Sequence, residues 1–292
     1  MTLIDPVALT RELIAFDTRN PPGNEADCAF FLGELLNKAG FEVQYHSFAP
    51  KRTSLIARLS NNSNQAPLCF TGHLDVVPLG QQTWKNAPFA GEIIGDKLYG
   101  SGASDMKSGI AAMTCAAIAC APTQAPLLLV FTASEETGCE GAAHLVGLDN
   151  VLEQAGAMII GEPTSNYPMM AHKGVLWLRA KARGKTAHGS KPELGVNAIY
   201  RAARMILNLE SFQFAEQDPL LGKPSLNVGT IKGGMNINSV PDSVTVEIDI
   251  RTLPQQNIQT LLTEFKKILG EDIEIEIIQD VRGISTKADH PW

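Results

Sequence analysis

The stretch Leu127-Leu-Leu-Val-Phe-Thr-Ala133 is apolar at every position but one, and Ser134-Glu-Glu136 follows it at once. An apolar run of this length without polar alternation predicts a strand that is buried on both faces, as in a parallel sheet covered by helices. Similar runs occur at residues 68–71 and 157–160. The first part of the chain is therefore predicted to be α/β, with a mixed, partly parallel sheet flanked by helices.

Helical patterns surround these strands. Asp5-Pro6 is typical of an N-cap followed by the first residue of a helix. A second helix is predicted at about 25–39, where Gly40 ends it, and a third at 105–120. Further strands are predicted at 41–45 and 55–59.

The order of predicted elements changes from about residue 173. Strands at 175–183, 225–231, 244–251 and 273–279 and helices at 196–209 and 257–269 follow the order β-α-β-β-α-β. That order is typical of a ferredoxin-like α+β fold. We therefore predict a first domain at residues 1–172 and a second at 173–284.

The composition restricts the classes of partner. The 292 residues carry a formal net charge of −7, and 44% of them are hydrophobic. Without a long run of lysine or arginine, the sequence predicts binding to neither nucleic acid nor membranes. The five cysteines form no C-x-x-C pair, which favours reduced thiols, and no segment has the pattern of a leader or a membrane span. We expect a cytoplasmic protein.

Gly72-His73-Leu74-Asp75 directly follows the apolar strand at 68–71. An imidazole at the carboxyl end of such a strand can bind zinc, and a carboxylate two residues later can hold the other ring nitrogen. The alternative is a histidine that only makes structural hydrogen bonds.

Acidic residues occur at three further segment ends. Asp105 follows the loop Gly100-Ser-Gly-Ala-Ser104, Glu135 and Glu136 follow the central strand, and Glu162 follows the strand at 157–160. Separately, Asp105 could be an N-cap and the glutamates could belong to solvated turns. Together, a histidine and four acids at strand and helix ends favour a pair of zinc ions bridged by a carboxylate.

Several segments, in the same order along the chain, resemble one family. They include Gly72-His-Leu-Asp-Val-Val-Pro78, Ala103-Ser-Asp-Met-Lys107, Ser134-Glu-Glu-Thr-Gly138 and Gly161-Glu-Pro-Thr164. They resemble the zinc-dependent deacylase and exopeptidase family of acetylornithine deacetylase, succinyl-diaminopimelate desuccinylase and aminoacylase. The resemblance implies a metal-dependent hydrolase that cleaves the amide bond of an N-acyl amino acid, with a dipeptide as another candidate substrate.

The resemblance also implies roles for individual residues. His73 and Glu162 would hold one zinc ion and Glu136 the other, with Asp105 bridging the two. Glu135 would be the general acid/base, Asp75 would support His73, and the Asp105–Met106 peptide would be cis. The family binds two Zn²⁺ per subunit, for which Co²⁺ is a candidate substitute.

In the second domain, the resemblance implies a lid and dimerisation domain inserted into the catalytic domain. His188 would reach the active site of a neighbouring subunit in a homodimer and stabilise the oxyanion. Asn238 and Arg251 would bind the substrate, the arginine suiting a carboxylate. The alternatives are that the segment of Asn238 only forms a turn and that Arg251 is an ordinary cation on the surface at a strand edge.

The family's chain returns to the catalytic domain and supplies a last zinc-binding histidine, and residues 285–292 are expected to begin that return. With this histidine missing, we expect one tightly bound zinc ion, a weak second one and little activity. The alternative is a truncated, inactive dimerising or binding relative. A serine acylhydrolase is a further alternative, because Ser104-Asp-Met-Lys107 fits S-x-x-K.

Overall fold

The predicted buried strand is β6, Leu127–Thr132, in the middle of a five-stranded sheet. The sheet has the order β1-β2-β6-β3-β7, in which β6, β3 and β7 are parallel and β1 and β2 are antiparallel to their neighbours. The partly parallel α/β sheet is thus confirmed. The other strands are β1 Glu42–Ala49, β2 Arg52–Leu59, β3 Leu68–His73 and β7 Ala157–Ile160.

This computed structural model describes residues 4–60, 65–123, 125–149, 151–152, 154–270 and 272–291. It divides into two units, Met1–Tyr167 and Pro168–Pro291. Within the described residues, no helix is both long and apolar enough to cross a membrane.

Four α-helices accompany the first sheet. Helix α1 is capped by Asp5, whose carboxylate accepts hydrogen bonds from Val7 N and Ala8 N at 3.2 Å. Gly40 follows α2 with φ +95°, a left-handed value that favours glycine at a helix end. The helices are α1 Pro6–Ile14, α2 Ala26–Lys38, α3 Ser108–Cys120 and α4 Glu140–Val146.

The third helix begins later than predicted. Residues Ala103–Lys107 form a turn in which Asp105 and Met106 have non-helical backbone angles, the Asp105–Met106 peptide is cis as the resemblance implies, and α3 starts at Ser108. No side-chain capping bond by Asp105 forms in this turn, so the N-cap alternative for Asp105 is wrong. Met106 packs against β3, where its Sδ accepts a hydrogen bond from His73 N at 3.2 Å.

Several short elements were not predicted, the first of them in the first unit. They include α4 and the hairpin of β4, Glu92–Ile94, with β5, Lys97–Tyr99.

The second unit has the predicted ferredoxin-like order. Its four main strands are all antiparallel in the order β10-β11-β9-β12, and its two helices pack against the buried side chains of this sheet. A short pair, β8 with β13, also lies within the unit; whether residues 285–292 begin a return to the first unit stays a prediction. The elements are β8 Ala171–His172, β9 Gly174–Arg183, α5 Ala198–Glu210, β10 Ser225–Gly233, β11 Ser243–Thr252, α6 Ile258–Leu269, β12 Ile273–Val281 and β13 Ile284–Ser285.

Candidate metal centre

The three parallel strands of the first sheet bring the predicted residues together. His73 is the last residue of β3, Glu135 comes three residues after β6, and Glu162 comes two residues after β7. Because parallel strands end at the same edge of a sheet, these side chains meet there. The turn at residues 103–107, before α3, adds Asp105 at the same edge.

His73 is buried and is held in one orientation. Its Nδ1 lies 2.9 Å from the backbone oxygen of Asp75 and 3.5 Å from Asp75 Oδ1. Because a carbonyl oxygen only accepts, Nδ1 is the donor. The other nitrogen, Nε2, lies 3.1 Å from Asp105 Oδ1 and 3.7 Å from Glu162 Oε1. The position of Nε2 suits a metal ligand.

Asp75 is fully buried and has several donors around it. Its carboxylate accepts hydrogen bonds from the backbone N of Glu135 at 3.0 Å, from that of Glu136 at 3.1 Å and from Asn20 Nδ2 at 2.9 Å. Burial opposes ionisation of Asp75, but its hydrogen bonds with His73 and Asn20 outweigh burial and lower its pKa. Asp75 therefore supports His73 and also fixes the backbone of the two glutamates.

Burial and the neighbouring acids raise the pKa of several groups in the site. Burial raises the pKa of Glu135 and of Glu136, while His73 opposes the rise. Burial, together with Asp105 and Glu135, raises the pKa of Glu162 to about 7. Burial also opposes the charge of His73, but Asp75 and Glu162 outweigh it and raise the pKa of His73 to about 10.

These residues fit a divalent cation. The candidate ligand atoms of His73, Asp105 and Glu162 lie within 4.8 Å of one another, and so do those of His73, Glu135 and Glu136. Among the described residues, the ion pairs of Asp105 and Glu162 both go to His73. A cation would offset the burial and the repulsion that raise the carboxyl pKa values, and an imidazole with carboxylates is a ligand set that zinc accepts.

The affinity for zinc should rise with pH. The proton of His73 must leave before the ring can bind metal, since its pKa is about 10, and below pH about 7 the proton of Glu162 must leave too. We expect the affinity to rise by about two decades per pH unit below pH 7 and by about one above it. Competition with a chelating dye between pH about 6 and 8 measures this slope, and a flat profile would contradict it.

The packing of α3 against the end of β7 should be sensitive to an added methyl group. A Cβ at Gly109 would lie 2.2 Å from the backbone oxygen of Gly161, the residue before Glu162. We expect Gly109→Ala to destabilise the protein by about 1–3 kcal/mol and to weaken zinc binding. Gly147→Ala is the control in urea unfolding and zinc titration, because its Cβ would meet no atom closer than 3.4 Å. Equal stability of the two variants would disprove the prediction.

In the second unit, His188 and Asn238 are neighbours. Gly189 N donates to Asn238 O at 2.7 Å, and His188 forms an isolated bridge with Ser239. Ser190 N donates to Nδ1 of the exposed His188 at 3.2 Å, so the ring proton is on Nε2, which can donate.

Arg251 lies at the other end of the same sheet. It is the ninth residue of β11, Ser243–Thr252, and its Nε donates to Asp249 Oδ2 at 3.1 Å. Eight residue steps along a strand span about 27 Å. The structure therefore brings His188 and Asn238 together but not Arg251.

The serine alternative finds no support. Lys107 is buried, and its Nζ donates to Phe16 O at 2.8 Å, while Ser104 is exposed. Burial lowers the pKa of Lys107 to about 8.

Asn20 and Glu25 were not predicted as site residues, although both contact the turn that follows β6. Ser134 N donates to Glu25 Oε1 at 3.2 Å, and Asn20 Nδ2 reaches Thr137 Oγ1 at 2.9 Å. The available signal was Asn20-Pro-Pro-Gly23, a strong turn pattern between two helices.

Comparisons with known proteins agree with the fold described above. Residues 54–168 match the model of peptidase family M28, and residues 170–275 match that of a peptidase dimerisation domain. The structure of a tripeptidase from Staphylococcus aureus superposes with a TM-score of 0.81 at 23% identity, over 99% of this chain and 79% of that one. An M20 family metallo-carboxypeptidase from Sulfolobus solfataricus gives 0.77 at 18% identity, over 98% and 80%.

Two curated relatives are more similar in sequence. Acetylornithine deacetylase of Myxococcus xanthus is 32% identical over 301 residues, which cover 97% of this chain and 78% of the relative. Succinyl-diaminopimelate desuccinylase of Wolbachia pipientis subsp. Culex pipiens is 32% identical over 278 residues, which cover 91% and 68%. These matches confirm the resemblance, and the chain belongs to the metal-dependent hydrolase family of acetylornithine deacetylase and succinyl-diaminopimelate desuccinylase.

Proposed function

We propose that this chain is a zinc-dependent amidohydrolase that cleaves the linear amide bond of an N-acyl amino acid. The observation that carries the proposal is the meeting of one oriented imidazole and several carboxylates at the ends of three parallel strands. The names of the relatives, a deacetylase and a desuccinylase, point to removal of an acyl group. The proposed metal ligands are His73, Asp105, Glu136 and Glu162.

The chemistry that a divalent cation supplies at such a site is polarisation of a carbonyl oxygen and acidification of water. Glu135 accepts a proton from the water that attacks the amide carbon. It then gives this proton to the nitrogen of the amine as the carbon–nitrogen bond breaks. Because burial raises the pKa of Glu135, its carboxylate is a stronger base than an exposed glutamate.

Substrate binding is proposed for three residues of the second unit. His188 donates from Nε2 to the carbonyl oxygen of the amide, which becomes negatively charged when water attacks. Asn238 binds a polar group of the substrate, and Arg251 binds the carboxylate of the substrate. Because about 27 Å of strand separates Arg251 from the end of the sheet near His188, one small substrate cannot touch both on one chain. A homodimer, in which each substrate meets residues of two subunits, satisfies both assignments.

The test is zinc content by elemental analysis, together with hydrolysis of N-acetylornithine and of N-succinyl-diaminopimelate. We expect slow turnover that a chelator abolishes and added zinc restores. Bound zinc without turnover on either compound would favour a binding relative instead. Activity that is insensitive to chelators would overturn the metal-dependent mechanism.

A further inference from the structure

The side chain of Asn20 connects two turns of the metal centre. Asn20 is 2% exposed and lies between α1 and α2. Its Nδ2 lies 2.9 Å from Asp75 Oδ2, 2.9 Å from Thr137 Oγ1 and 3.3 Å from Ser134 Oγ. One amide group thus contacts both the turn after β3, which carries Asp75, and the turn after β6, which carries the two glutamates.

The backbone of Asn20 is held as firmly as its side chain. Asn20 N donates to Val76 O at 2.8 Å, and Val76 N donates to Thr18 O at 3.1 Å. The residue is therefore attached next to Asp75 through both its backbone and its amide. Movement of Asn20 relative to Asp75 would break these bonds together.

The turn after β6 depends on such contacts for its shape. Ser134 has φ +65°, a left-handed value that is unfavourable for a residue with a side chain. Its N donates to Glu25 Oε1, and Glu25 is buried in an ion pair with Arg52 at 2.9 Å. Its Oγ donates to Glu140 Oε2 at 2.6 Å. Contacts from outside the turn therefore hold its backbone.

We propose that Asn20 is a positioning residue of the metal centre, which fixes Glu135 and Glu136 relative to His73 through Asp75 and Thr137. The inference rests on the metal centre of the proposed function, because it assumes that these side chains hold a metal ion. An amide suits the position since Nδ2 only donates, and its two hydrogens are directed at a carboxylate and a hydroxyl. A misplacement of about 1 Å at a catalytic group costs about 10²-fold in rate.

The test compares Asn20→Ala, Thr137→Val and the double variant with the wild type. Co²⁺ affinity and the Co²⁺ absorption spectrum are measured on substrate-free protein, and kcat and KM on the N-acyl amino acid that the wild type hydrolyses. We expect Asn20→Ala to lower Co²⁺ affinity or kcat by about 10–100-fold, with a shifted spectrum and KM changed less than about twofold. Thr137→Val should act in the same direction, and the double variant should be no worse than Asn20→Ala.

Asn24→Ala is the matched control, because Asn24 lies in the same segment and its buried Oδ1 has no hydrogen-bond partner in the described structure. It should leave the Co²⁺ spectrum unchanged.

If Asn20→Ala does not fold, Thr137→Val alone tests the inference, since Thr137 is exposed and its substitution should not unfold the protein. A wild-type spectrum, affinity and kcat in both folded variants, or additive losses in the double variant, would overturn the inference. A wild type without turnover, but with the Co²⁺ effects intact, would overturn the proposed function and leave the inference standing.

Discussion

Glu135→Gln should lower kcat by about 10²–10⁴-fold while the protein keeps its bound zinc. The amide of glutamine has the size of the carboxylate but cannot accept the proton of water. The backbone N–H that Asp75 holds at 3.0 Å is unchanged by the substitution. Zinc content and kcat, measured on the same preparation, give both quantities.

Glu136→Gln is the matched variant, one residue away in the same turn. It should lose zinc affinity first and activity as a consequence, since Glu136 is a proposed ligand and Glu135 is not. The comparison is informative because ligand atoms of both glutamates lie within 4.8 Å of His73. Loss of zinc in Glu135→Gln with zinc retained in Glu136→Gln would show that the two roles are exchanged.

The fold was predictable where local patterns are long. The apolar run at β6 and the β-α-β-β-α-β order from residue 173 each identify a sheet, because burial on both faces or on one face leaves a distinct pattern. The start of α3 was not predictable, because the turn before it depends on the contact of Met106 with β3, which is distant in sequence. The helix α4 and the β4–β5 hairpin are short, so their patterns are weak.

The part of the site that lies at strand ends was predictable from the sequence. His73, Glu135 and Glu162 follow three strands that turn out to be parallel neighbours, so their meeting follows from topology. The hydrogen bonds of Asn20 span 55 residues to Asp75 and 117 to Thr137, and no local pattern encodes them. The separation of Arg251 from His188 also required the strand register, which the order of elements does not specify.

His73→Gln should remove most zinc binding and all zinc-dependent activity. His73 belongs to both groups of candidate ligands, so either group would lose its imidazole. The affinity should fall by more than the roughly 100-fold that loss of an outer-shell partner costs. His172→Gln is the control, because His172 is exposed and its Nδ1 contacts only the backbone oxygen of Lys173 within the described chain.

Thermal unfolding with and without zinc tests the role of His73 as a zinc ligand, and it needs no substrate. A ligand at about 100 times its Kd stabilises the folded state by about 2.7 kcal/mol, so zinc should raise the Tm of the wild type and of His172→Gln. The Tm of His73→Gln should not respond at the same zinc concentration. An equal rise in all three proteins would mean that the carboxylates hold the metal without the imidazole, and His73 would then have no place among the ligands.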